Sequence, residues 1–485
     1  MSLQVVGTNT VIYAIGGAVQ RMWSFILIPL YVYAFPVDEY GLLSVLLVAI
    51  QILVVLTGTW IRDAYIRFAP EYESANQIDV LLGTSLVMIF AVGFVITTLA
   101  TTLFTRFVAF IIHNSSAVHS YIVLCCGIAV VQSALQQMMA VFQGRNQAFR
   151  YMMTGVSSGV LLLAANLLFV KAIPLGVVGV LYAQLSAYGL ALIVLAIVVC
   201  RQTGVRFSFL VVRRLLIFGG PLIVFLVSAY VMESASTYFL SYSAGNQEVA
   251  VYNVGYKCAS IATVVLVLPF QLAFPPYIFA HAKTSDLELR VARSVTYYSL
   301  VAGYVVFGVL TASYVILRFL IPPVYSRSYA VIVILAPAFT LYGLSVVGQT
   351  LLHLHGKTYV SGAIALGVAT FHLLWNAVLV PRYHMLGAAM STGITFAAVG
   401  LTMLAAGGRE VRFLFEGRRL VSTSAVLAVF TVSLLLLSGE SIRLFAVGAG
   451  LVAVCVSAAL LKLRFFDEFE RRAIRSRVRK IDLGL

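Results

Sequence analysis

Charge is scarce in this chain. Asp, Glu, Lys and Arg together make up 10% of 485 residues while apolar residues make up 61%, against about a quarter charged and half apolar in a soluble globular protein. No core of this length could hide so much apolar surface from water, which excludes a water-soluble domain as the main body. Long polar gaps are missing too, and with them any low-complexity linker or separate soluble module. The five cysteines (Cys125, Cys126, Cys200, Cys258, Cys455) fall inside apolar runs or at their ends. No CxxC or Cys/His spacing for zinc accompanies them, so they read as small buried apolar groups. There is no GxSxG, no P-loop, no HExxH and no Gly-rich phosphate cradle. These absences argue against covalent catalysis, and no cofactor is expected. Uphill transport must then draw on an ion gradient or on ATP hydrolysed by a partner chain. The pair His353 and His355 would point to different faces of a helix, which speaks against a metal site.

What is present is a series of apolar runs, each long enough for the roughly 20 residues that cross a bilayer. They mark about fourteen transmembrane helices near 7–33, 40–61, 79–104, 119–142, 151–171, 176–200, 215–242, 249–280, 292–317, 329–352, 358–380, 385–406, 420–437 and 442–461. The fold class is an all-α polytopic membrane protein. Residues Met1 to Thr10 lack a basic n-region, so the first run is expected to stay as a helix rather than be removed as a signal. The net charge of +15 would suggest nucleic acid in a soluble protein. Here the basic residues sit in short gaps without interleaved aromatics, and topology and anionic lipid account for them better. With a cytoplasmic N-terminus, 24 of the 32 Lys and Arg residues fall on the cytoplasmic side. The positive-inside rule therefore predicts both termini in the cytoplasm of a cell (inner or plasma) membrane protein. The segment 464–485, with Arg471, Arg472, Arg475 and Phe465, Phe466, Phe469, reads as an amphipathic basic tail on that membrane's anionic lipids.

The chain also repeats itself. Gln137 stands seven residues before Gly144-Arg145, and Gln349 stands seven before Gly356-Lys357. Asn166 and Asn376 follow in the next apolar run, then Gly179 and Gly387 near the start of the one after. A duplication of six helices keeps both halves in one orientation, as in transporters whose lobes are related by an axis along the membrane normal. The expected organisation is an N-lobe over 1–200, a linker over 201–214 and a C-lobe over 215–406. Two further helices over 407–463 and the tail complete it.

Polar groups inside these runs are the candidate site, because an ionisable group in hydrocarbon costs at least about 2.5–3.5 kcal/mol. The first helix carries Tyr13, Gly17, Arg21 and Ser24 at helical spacing, with Gln20 beside them. Its counterpart, the seventh, carries Tyr230, Glu233, Thr237 and Ser241. The eighth places Asn253, Lys257, Ser260 and Gln271 on one face; the second places Ser44, Gln51, Gly58 and Arg62. These stripes would converge if helices 1, 2, 7 and 8 surround one cavity. The plainer alternatives are that Arg21 snorkels, that Glu233 and Lys257 pair to permit insertion, and that Arg62 and Arg67 set topology. The amides on helices 4 and 10, with Gln137 and Gln349 foremost, serve equally well as interhelical glue or substrate contacts. Gly155-xxx-Gly159 reads as a close-packing motif.

Several motifs are similar to those of one family. Phe35-Pro-Val-Asp-Glu-Tyr-Gly-Leu-Leu43 resembles the first external turn of the polysaccharide transporters, the Wzx-type O-antigen or lipid-linked oligosaccharide flippases of the multidrug/oligosaccharidyl-lipid/polysaccharide exporter superfamily. Gly58 with Arg67-Phe68-Ala-Pro-Glu71, Tyr252-Asn-Val-Gly-Tyr-Lys257, and Pro381 with Leu386-Gly387-Ala388-Ala389 resemble that family's later motifs in the same order. The resemblance spans residues 5–406. It implies two six-helix lobes around a V-shaped cavity that alternates access. It further implies flipping of undecaprenyl-diphosphate-linked repeat units to the external leaflet for surface polysaccharide biosynthesis. Polymerase and glycosyltransferases are the implied partners, and nucleic acid is not one. Arg21 and Lys257 match the basic cavity residues of members and would take the diphosphate. Gln20, Tyr13, Gln51, Arg62, Asn253, Gln137 and Gln349 would take diphosphate and sugar, while Glu233 would couple a proton or sodium ion. The two extra C-terminal helices depart from twelve-helix members and are similar to the lipid II flippase branch. Two other readings stay open: a cation-coupled multidrug exporter of the same superfamily, whose cavity should be acidic, and a membrane glycosyl polymerase or ligase, which should carry a large external loop.

Overall fold

The architecture is taken from a computed structural model of the chain. It describes residue 16 and residues 23–102, 118–145, 147–282 and 284–411, then 425, 429, 432–433, 445 and 447–455. Ten helices among them are long and apolar enough to cross a membrane. Proline and acidic residues place their starts in the expected way. Pro36 precedes the helix Val37–Ser74, with Asp38 and Glu39 in its first turn facing the positive end of the macrodipole. The stretch Thr358–Gly408 would be about 76 Å long as one helix, more than twice the hydrocarbon thickness. It breaks at His384 (φ 49°, ψ −125°), just after Pro381, and the chain doubles back so tightly that a Cβ on Gly387 would overlap the Leu379 carbonyl.

Twelve helices follow, numbered in chain order: α1 Trp23–Ala34, α2 Val37–Ser74, α3 Ile78–Thr102, α4 Val118–Gly144, α5 Ala148–Ala172, α6 Val177–Thr203, α7 Phe209–Ala244, α8 Asn246–Ala280, α9 Leu287–Phe319, α10 Ser328–Leu354, α11 358–383 and α12 385–408. The predicted first helix is thus described from Trp23 onward. Of the thirteenth and fourteenth, only scattered residues and the helical stretch 447–455 are described. Phe445 and Ala449 are buried, and the Phe445 ring stacks on Tyr314 of α9 at 3.9 Å, so this segment packs on the second half of the molecule.

The repeat is written into the helices. A π-turn interrupts α2 at Val55–Thr59 and α8 at Thr263–Val267, 208 residues apart. Asn166 on α5 and Asn376 on α11 are both fully buried, and each turns its amide back to the carbonyl four residues earlier. At Asn166 the carbonyl end accepts the Tyr31 hydroxyl of α1 at 2.9 Å, an interhelical bond worth about 0.6–2 kcal/mol in a membrane. The expected close-packing motif also holds, since Gly159 lies directly against the Trp23 ring.

The core shows how the two groups of six helices meet. We call the end holding the α1–α2, α7–α8 and α11–α12 turns the upper end. One apolar cluster there draws on both groups, from Leu27, Tyr40 and Ile50 to Val251, Leu335 and Ala388. Below it the core divides. Trp60, Tyr65, Leu81 and Leu135 belong to a cluster of α2–α4 and α6, joined by Val211 and Leu215 from the start of α7. Val267, Ile278, Val295 and Val347 belong to another of α8–α10, joined by Leu404 of α12. A shared core above and two separate cores below make a V that opens toward the lower end. Outward-facing side chains are apolar, Phe94, Ile217 and Phe371 among them, as lipid requires.

Candidate functional site

The seam of the V is lined by α2, α7 and α8. At its top, Gly41 of α2 lies so close to α8 that a Cβ would overlap the Asn246 carbonyl. The Tyr40 ring meets Tyr325 edge-on at 6.0 Å and Tyr31 at 6.4 Å. These contacts shut the upper end. Farther down, α2 turns toward α4 and α7 while α8 turns toward α10.

Helix α7 belongs to both groups. The segment before it is tied to α3: Arg206 N–H donates to Asp79 O at 3.1 Å, its guanidinium pairs with the Asp79 carboxylate at 3.2 Å, and Ser208 N–H donates to Thr84 Oγ1 at 3.0 Å. Its lower half stays with α2, through Arg214 on Glu71 at 2.7 Å, Phe218 on Phe68, and Gly219 against the Trp60 ring. The upper half packs against α11 and α12, with Met232 beside Ala369 and Val399. Gly219-Gly220-Pro221 stands between the two.

Lys257 sits on α8, half-buried, one turn below Asn253. Among the described residues no carboxylate pairs with its ammonium, Glu233 included. Glu233 lies exposed on α7, one turn from Tyr230, whose hydroxyl donates across the seam to Val48 O of α2 at 2.6 Å. Gln51 is exposed on α2. The structure therefore brings the α2, α7 and α8 stripes together. Tyr13, Gln20 and Arg21 lie outside the described residues.

Four expected residues are engaged, set back or half-buried. Arg62 pairs with its neighbour Asp63 at 2.7 Å and donates to Gln136 Oε1 at 3.3 Å, which holds it against α4. The Asn253 amide donates to Val249 O at 3.0 Å on its own helix. Gln137 is fully buried behind the π-turn of α2, and among the described residues neither end of its amide has a hydrogen-bond partner. Gln137 thus sits behind the seam. Gln349 is half-buried on α10.

A further polar cluster lies in the upper part of the second group. His372 of α11 is fully buried, with Nδ1 2.7 Å from Thr395 Oγ1 and Nε2 3.5 Å from Ser236 Oγ. Ser236 in turn meets Thr392 Oγ1 at 2.8 Å, and the Tyr252 hydroxyl meets the same oxygen at 3.0 Å. Four helices contribute, so spacing along the chain gives no sign of it. The only local hint is Asn376 four residues after His372, opposite the hydroxyl-rich start of α12.

A membrane bundle of two six-helix groups joined at one end is the fold of the multidrug/oligosaccharidyl-lipid/polysaccharide exporter superfamily. The lipid II flippase MurJ, in an inward closed conformation, superposes with a TM-score of 0.73 at 12% identity, covering 93% of this chain and 99% of that one. An inward-facing multidrug resistance MATE family transporter gives 0.63 at 14% identity, covering 86% and 96%. A superfamily transporter from Pyrococcus furiosus, described as having a binding pocket of reverse polarity, gives 0.57 at 18% identity, covering 87% and 96%. The profile of the polysaccharide biosynthesis protein family matches residues 6–281, more than half of the sequence, and the chain belongs to that family. A sequence search of curated proteins returns no match.

Proposed function

We propose that this protein flips a polyprenyl-diphosphate-linked oligosaccharide, of the undecaprenyl type, from the cytoplasmic to the external leaflet of the cell membrane by alternating access. The observation that carries this reading is Lys257, a cation on the seam of an apolar V with no carboxylate paired to it among the described residues. Such a charge is costly in hydrocarbon and is retained where an anion visits. A diphosphate and its sugars resist desolvation and need a polar path, while the prenyl chain stays in lipid. Arg21 joins Lys257 on the diphosphate. Gln20, Tyr13, Gln51, Arg62 and Asn253 take the phosphates and first sugars. Gln137, set back in this conformation, and Gln349 reach them only when the seam opens. Glu233 takes up a proton or sodium ion as the cycle turns. The lower end of the V is then cytoplasmic, the lobes divide along α7, and polymerase and glycosyltransferases act on the two sides.

Reconstitution tests the cargo. Proteoliposomes holding this protein should expose a fluorescent diphosphate-linked oligosaccharide to an external quencher faster than empty liposomes. Export of a cationic dye with no movement of the lipid-linked sugar would replace this reading with a multidrug exporter. Orientation has its own expected outcome, because the basic residues favour the lower end inside. A reporter active only outside the cell should be silent when fused after Leu485 and active in the 105–118 segment. The reverse pattern would invert the whole cycle.

A further inference from the structure

We propose that His372 is a proton-binding site of the second lobe, which loosens the upper closure when it is occupied. Hydrogen-bond geometry fixes its empty form. Thr395 directs its own hydroxyl hydrogen to Ser391 O at 2.7 Å, so Thr395 Oγ1 accepts and His372 Nδ1 carries the ring hydrogen. Nε2 is then the bare nitrogen, facing Ser236 Oγ across 3.5 Å, the outer limit of a hydrogen bond. Ser391 Oγ lies 3.3 Å from Nδ1, and the Asn376 amide rests against the ring with Nδ2 3.1 Å from Nε2.

One added proton costs this network a single contact: the Asn376 N–H beside Nε2 loses that acceptor and keeps its hydrogen bond to His372 O at 2.8 Å. A hydronium ion gives its proton to the Nε2 lone pair and leaves as water. Nε2–H then donates to Ser236 Oγ, and the Ser236 hydrogen turns to Thr392 Oγ1, 2.8 Å away. That oxygen has two lone pairs and accepts from Tyr252 as well. The Thr392 hydrogen can turn to its own helix backbone, as that of Thr395 does. The charged groups around the ring set no rival switch. Helix α12 presents only Ser391, Thr392 and Thr395, and α8 presents Tyr252 through Thr392, with Lys257 five residues farther along. Helix α7 presents Ser236; its Glu233 and Tyr230 lie one and two turns below. Helix α10 also packs on α11 and α12, and its His353 lies beside Ser361, about three turns below the ring; among the described residues no charged side chain is hydrogen-bonded to the ring.

The consequence is mechanical. A charge-assisted bond closes to about 2.7–2.9 Å, so protonation draws the upper half of α7 onto α11 and α12. The same half holds α2 through Tyr230 and Val48 O. Tightening one contact strains the other, and the upper closure weakens. The open-upper state therefore binds the proton more readily, and its population rises as pH falls.

The test follows the opening and not the cargo, so it stands or falls apart from the flippase reading. Spin labels at Tyr33→Cys and Val324→Cys, both exposed at the upper end, would be placed in full-length protein with the five native cysteines replaced by alanine. The ratio of open to closed distances should rise with falling pH, by up to about tenfold per unit within the pH 5–8 range of histidine. His372→Gln should flatten that response. If His372→Gln does not fold, Ser236→Ala decides, because it removes the acceptor that pulls α7 and should flatten the response as well. A wild-type ratio constant from pH 5 to 8, or a His372→Gln protein (Ser236→Ala where that one fails) with the wild-type profile, would overturn the proposal.

Discussion

Alanine at both Arg21 and Lys257 is expected to abolish surface polysaccharide while leaving protein levels normal. Each cation would contribute charge-assisted hydrogen bonds to a phosphate, worth about 1.5–3 kcal/mol apiece. Losing both would weaken cargo binding by a factor on the order of a thousand or more. Folding should survive, since removing the Lys257 ammonium, which has no carboxylate partner among the described residues, takes away a cost of insertion instead of breaking a pair. Lys257→Arg should restore part of the output, because it keeps the charge while changing the donor geometry. Glu233→Gln should slow flipping and alter its dependence on pH or sodium without abolishing it. The measurement is polymer output against membrane-inserted protein in cells lacking the chromosomal copy. Normal polymer from the double variant at normal expression would remove both residues from the mechanism and leave Arg21 to the snorkelling alternative.

The helices were readable in the sequence because lipid imposes one rule on every span. Runs such as 79–104 and 119–142 lie within two residues of Ile78–Thr102 and Val118–Gly144. The break between α11 and α12 was readable too, since Pro381 cannot continue a helix without losing a hydrogen bond. That His384 alone takes the left-handed turn was not readable, because no glycine marks it. Duplication could be followed through Gln137, Gln349, Asn166 and Asn376. The π-turns at 55–59 and 263–267 could not be seen, because an extra residue in a helical turn leaves no composition signal.

For the site, helical spacing marked stripes on α2, α7 and α8, since spacing along one helix fixes a face. Spacing cannot say which face looks across the seam and which looks into its own lobe. Gln137 and Gln51 are equally polar in sequence, yet one is fully buried and the other exposed. Nor did it show that Arg62 would meet Asp63 beside it and Gln136 on α4. The His372 network was least readable of all. Its members come from α7, α8, α11 and α12, and only packing brings them together.

Valine at Gly41 should stop transport by holding the upper end open. In the closed arrangement α2 and α8 touch backbone to backbone, and any Cβ at 41 would overlap the Asn246 carbonyl. Neither helix can give way locally, since Tyr40 is fully buried against Tyr31 and Tyr325, and Ser328 Oγ donates to Val251 O of α8 at 2.6 Å. Within one lobe such an overlap would cost at least about 1–3 kcal/mol of folding stability. Between lobes that must separate anyway, the strain is relieved by opening. The same 1–3 kcal/mol then shifts the ratio of closed to open states by about 5- to 150-fold. Asn253 reports the change, because it is buried one and a half to two turns below Asn246. With the native cysteines replaced, Asn253→Cys should react slowly with a membrane-impermeant thiol reagent added outside, and much faster once Gly41→Val is added. Polymer output should fall in step with that faster labelling. Equal labelling rates with and without Gly41→Val, in a variant that still inserts, would show that this contact is not the closure of the upper end.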